Sequence, residues 1–80
     1  MDLIVCNDRQ EIKNIIIKQD FIQVSNILFK TKEDKFYLLT SKETIKEQDI
    51  LGHKFKRVYG EQNIPKSLYN KVMSQRTDLE

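Results

Sequence analysis

The chain of 80 residues contains one cysteine, one histidine, one proline and two glycines, and it has no alanine and no tryptophan. A single cysteine cannot close an intramolecular disulfide, so folding does not depend on an oxidising compartment. One cysteine and one histidine cannot supply a closed tetrahedral zinc site. The carboxylates form neither a calcium loop nor an HExxH pair. No metal and no cofactor is therefore expected. Gly52 and Gly60 are isolated, one at a turn and one at a strand end, so there is no glycine-rich loop to cradle a phosphate. No apolar run approaches the ~18 residues of a membrane span. The amino terminus lacks the basic start and hydrophobic stretch of a secretory signal. These absences lead to the expectation of a cytoplasmic protein with no membrane partner.

Catalytic chemistry is equally short of material. Nucleophilic catalysis by serine or cysteine usually enlists a base, and His53 is the one histidine. Cys6 ends the apolar run Leu3-Ile4-Val5, where a small buried hydrophobe is the simpler reading. Glu43 and Glu47 alternate with Lys42 and Lys46 and read as a solvated face. Glu33-Asp34 reads as a polar tip between strands. The expectation is a protein without enzymatic activity.

What remains is enough for one folded domain. Charged residues make up 32% and apolar ones 39%, a globular rather than a disordered balance. A chain this short buries roughly 60% of its unfolded surface and has no room for a second core. Residues 1–76 are expected to form a single domain, with 77–80 a frayed tail. Ten isoleucines and eleven lysines beside no alanine fit an AT-rich coding sequence of the kind found in low-GC bacteria, their phages and plasmids.

Along the chain, Asp2 to Cys6 reads as a strand. Asn7 suits a helix N-cap, with Asp8 and Glu11 in the first turn and Ile12, Ile15 and Ile16 on one face, predicting a helix over 8–18. The β-branched run Ile15-Ile16-Ile17 is the signal for a strand instead. Phe21 to Thr31 and Lys35 to Thr40 predict a β-hairpin around Lys32-Glu33-Asp34, with a bulge near Ser25-Asn26 to restore alternation. Thr40 and Glu43 have capping-box spacing for a short helical turn. His53 to Tyr59 reads as a further strand. Pro65 starts a final helix with Leu68, Tyr69, Val72 and Met73 as its apolar stripe. The predicted fold is α+β in the order β-α-β-β-β-α, a mainly antiparallel sheet of three or four strands with two helices on one face.

One segment points at a partner rather than a core. His53, Lys54, Phe55, Lys56, Arg57 and Tyr59 place four basic-type side chains and two aromatics in seven positions. Residues 51–80 carry six Lys or Arg against three acids, which accounts for the whole positive excess of +2. In a strand, His53, Phe55, Arg57 and Tyr59 share one face, and Lys54, Lys56 and Val58 the other. Either Phe55 and Tyr59 face the core above ordinary solvent-side lysines, or they stay exposed with Arg57 as a stacking platform. Lys66 and Lys71 on the last helix extend the basic region. Tyr37, opposite in phase to Phe36 and Leu38, is a further candidate exposed aromatic.

Two function classes follow. The first is a binding protein acting through protein contact, including an inhibitor of a host enzyme or nucleoprotein complex encoded by a phage or mobile element. The second is an RNA or single-stranded nucleic-acid binder, with Lys54, Lys56, Arg57, Lys66 and Lys71 on phosphates and Phe55 or Tyr59 stacking. No RNP motif or GXXG loop accompanies the second. The +2 charge also falls below the usual footprint of a dedicated nucleic-acid domain. Protein contact is the leading expectation.

Overall fold

Leu3, Ile4 and Val5 belong to an interior strand of the sheet that is paired in parallel on both sides. The computed structural model describes residues 1–77. Its elements are β1 (Asp2–Cys6), α1 (Arg9–Gln19), β2 (Ile22–Gln23), β3 (Leu28–Lys30), β4 (Phe36–Ser41), α2 (Glu47–Ile50), β5 (Arg57–Tyr59) and α3 (Lys66–Ser74), with a 3-10 turn at Glu61–Asn63. The sheet runs β2-β3-β4-β1-β5. β1 is parallel to both β4 and β5, while β2, β3 and β4 form an antiparallel meander.

The α+β class is as expected, but the sheet is mixed and five-stranded and there are three helices. The helices also divide between the faces. On one face Leu3, Val5, Leu38 and Val58 pack with Ile50 of α2 and Leu68, Val72 and Met73 of α3. On the other, Ile15 of α1 lies beside Ile4 and Tyr37. The division follows from the route of the chain. It crosses from β1 to β4 in one direction and from β4 back past β1 to β5 in the other. Crossovers of one hand then leave their helices on opposite faces.

Local signals explain the element boundaries. Asp8, rather than Asn7, caps α1, its Oδ1 accepting the Glu11 amide at 3.0 Å. Asp20 closes α1 in the left-handed region at φ 57°. The expected bulge at Ser25-Asn26 is instead a reversal: the Val24 and Ser25 amides both bond the Leu28 carbonyl, folding β2 back on β3. The short helix starts after Lys46, whose amide donates to Asp49 Oδ2 at 3.3 Å, and not at Thr40 and Glu43. Thr40 and Ser41 stay in β4, and their buried hydroxyls meet that of Thr44. Pro65 stands immediately before α3. Thr77 donates its amide to the Phe55 carbonyl at 2.8 Å, and the remainder of the expected tail, 78–80, lies outside the described residues.

Candidate functional site

The basic and aromatic segment is not one strand. β5 is confined to Arg57–Tyr59, and Phe55 instead bridges in parallel to Arg76, its amide bonding the Gln75 carbonyl at 2.8 Å. The phase of the chain therefore slips at Lys56, whose own amide turns the other way to the Met1 carbonyl at 2.7 Å. The consequence is a parting of the two rings. Phe55 is 0% exposed, sealed among Leu3, Ile50 and Val72. Tyr59 is 44% exposed. Of the alternatives open in the sequence, Phe55 takes the core and Tyr59 the surface. His53 is half-buried with its ring stacked 6.3 Å from Phe55, and Arg57 is exposed on the same sheet face as Tyr59.

The lysines are dispersed. Lys54 and Lys56 are exposed near the N-terminal end of β5, with Lys56 beside Met1, Lys35 and Phe36. Lys66 opens α3, three residues beyond Asn63, whose side chain bonds Val5 near the opposite end of β1. Lys71 Nζ lies 2.7 Å from Glu47 Oε2 and ties α3 to α2. No continuous basic track joins these positions.

Two of the sequence candidates do meet. Tyr59 and Tyr37 line an open cleft of about 370 Å³ together with Ile4, Ile15, Gln19, Phe21 and Thr31. Register builds it: Tyr59 pairs with Ile4, and Tyr37 stands on the same face two residues nearer the start of β4. Phe21, just after α1, closes one side, its ring 5.0 Å from Tyr37 and 6.4 Å from Phe29. Tyr37 is thereby half-buried rather than fully exposed. α1 lies over β1 and β4, leaving the β5 side of this face, with Tyr59, on the rim. Ile15 and Phe21 went unremarked as site residues because helical periodicity and a strand start explain them equally well in sequence.

The groups with reactive potential are held quiet. Burial, with the Glu11 and Asp8 carboxylates adding, pushes the Cys6 thiol up from 9.0 to about 11. The first turn of α1 is self-capped, the Glu11 amide going to Asp8 and the Asn7 amide to the Glu11 carboxylate. That helix end therefore presents carboxylates where an anion would need donors. Among the described residues no group of three or more His, Cys, Asp or Glu side chains is placed to hold a metal ion, and no helix is long and apolar enough to cross a membrane.

No protein-family model, curated protein or solved structure matches the chain.

Proposed function

We propose that this chain is a small, non-enzymatic, cytoplasmic binding protein that acts by protein contact, inserting a partner's large apolar side chain into the Tyr37–Tyr59 cleft. The observation that carries this reading is the half-exposed Tyr59 ring at the rim of a pocket lined by Ile4, Ile15, Phe21 and Tyr37, with Gln19 and Thr31 as its polar members. Tyrosine at such a rim offers contact area at low entropic cost and a hydroxyl for the wet edge, the usual make-up of an interface anchor. A volume of about 370 Å³ is at the small end of ligand pockets and accommodates one or two side chains. An inhibitor of a host enzyme or nucleoprotein complex, carried by a phage or mobile element, is the biological class that fits the composition.

Affinity purification from the native host, with and without nuclease, tests the reading. A stoichiometric protein recovered by the wild-type chain, resistant to nuclease and lost with Tyr59→Asp, supports it. Recovery of RNA or DNA in place of protein overturns it in favour of nucleic-acid binding. That second reading draws on exposed Lys54 and Lys56 and on Lys35 beside exposed Phe36. It requires affinity to fall with salt at a log–log slope of about −0.7 per phosphate neutralised on a single strand.

A further inference from the structure

A second surface, on the opposite face from the Tyr59 cleft, is missing a layer. The pairing registers align Val58, Leu3, Leu38 and Leu28 in one row across the sheet, and the amide of Val24, just past β2, bonds the Leu28 carbonyl at 2.8 Å to extend that row. Leu3 and Leu38 are sealed beneath α2 and α3, but the row emerges at Val24, which is 48% exposed. The row two residues nearer the start of β1 shares this face. It runs Ile22, Lys30 and Phe36 by pairing, and Met1 and Lys56 line a hollow with Phe36 and are joined by the Lys56–Met1 hydrogen bond. Met1, Phe36 and Ile22 are exposed as well, Phe36 by 38%. Half of the large hydrophobic side chains exposed in the described structure thus fall on one uncovered strip, and they are neighbours by register.

The dimensions state what would cover it. Five strands at about 4.8 Å spacing make a face some 19 Å wide, and a helix with its side chains is about 10 Å across, so the face has places for two helices. α3 has nine residues and α2 four, and Met1, Ile22, Val24 and Phe36 stay exposed beside them. The strip's polar border presents cations: Lys35 and Lys56 line the hollow with Asp2 and Asp34, but Asp2 is buried and Asp34 is engaged by Lys30 at 3.2 Å.

We infer that this strip docks an amphipathic helix of a partner protein, with acidic residues flanking its apolar stripe. The helix completes the second layer, burying Val24, Ile22, Phe36 and Met1 under its apolar face and meeting Lys30 and Lys56 with its carboxylates. The site is separate from the Tyr37–Tyr59 cleft, and its test does not depend on that reading.

Two synthetic amphipathic helices with the same leucine stripe, one flanked by glutamate and one by lysine, serve as probes of the full chain. Amide chemical-shift mapping by NMR is expected to show saturable binding of the glutamate-flanked helix, with shifts centred on Val24, Lys30, Phe36 and Lys56. Phe36→Asp abolishes it. Lys30→Glu with Lys56→Glu weakens it by about tenfold or more and confers binding of the lysine-flanked helix, because the charge complementarity has been reversed. Should Phe36→Asp fail to fold, Lys56→Glu alone, at an exposed position, still reads the charge term. The inference is overturned by equal binding of both helices, by absence of binding, or by shifts centred on Tyr59 and Ile15. It is overturned too by a dimer that dissolves in Val24→Asp, since a second copy then covers the strip, or by displacement of the acidic helix with an oligonucleotide.

Discussion

Asn63 reaches back 58 residues to donate its side-chain amide to the Val5 carbonyl at 2.9 Å, fixing the turn after β5 to the end of β1. Gly60 sits beneath the same carbonyl at φ 78°, and a Cβ built there would overlap the Val5 oxygen. Gly60→Ala therefore meets both a left-handed backbone and backbone atoms that cannot move aside. A loss of about 2 kcal/mol or more in urea unfolding is expected. Asn63→Ala, which removes one donor from a partly buried carbonyl, should cost about 1–2 kcal/mol.

The separation of Phe55 from its basic neighbours gives an opposite pair of outcomes. Phe55→Ala empties a fully sealed site and should cost about 3–5 kcal/mol, enough to unfold much of a small domain at room temperature. Lys54→Glu and Lys56→Glu, both at exposed positions, should each change stability by less than about 0.5 kcal/mol. Circular dichroism of the thermal transition distinguishes the two.

Cys6 sets a pH dependence with a defined sign. Its thiol is raised from 9.0 to about 11 in the folded state, so the folded chain holds the proton more tightly than the unfolded one. The stabilisation is fully present below pH 9 and is lost as pH rises through about 11. Urea midpoints should accordingly fall across that window in the wild type and fall less in Cys6→Ala. Thiol reagents at neutral pH should label Cys6 at a rate governed by unfolding, which denaturant accelerates.

Tyr59→Asp separates binding from folding. The ring is on the rim and half in solvent, so the thermal midpoint should move little while contact through the cleft is lost. Ile4→Asp, on the floor of the same cleft and between β4 and β5, should destabilise the sheet itself and so lose both.

The Lys71–Glu47 pair is half-exposed at both ends. Lys71→Met should cost less than about 1 kcal/mol, with the difference from wild type disappearing at high salt.

Much of the local structure was legible because it depends on neighbours in sequence. Asp8, Glu11 and the Ile12, Ile15 and Ile16 face define α1 within a residue or two of the expected span, and Pro65 with the Leu68, Val72 and Met73 stripe defines α3. The β3–β4 hairpin was visible in its β-forming residues and the polar tip between them, while the reversal that splits β2 from β3 was not. One available signal went unused. Leu3-Ile4-Val5-Cys6 and Phe36-Tyr37-Leu38-Leu39 are uninterrupted apolar runs, the mark of strands covered on both faces and hence of parallel pairing. β1 and β4 are such a pair.

Composition and local pattern alone determined an α+β chain whose one cysteine is a buried hydrophobe, with helices at α1 and α3 and a hairpin between. Tertiary structure decided which of the two rings flanking Arg57 is seen by solvent. Alternation in an isolated strand puts Phe55 and Tyr59 on one side. Pairing of Phe55 to Arg76 rather than to β1 breaks that alternation at Lys56 and turns Phe55 inward. A partner 21 residues away in sequence chose the outcome, and no window of local residues contains that choice.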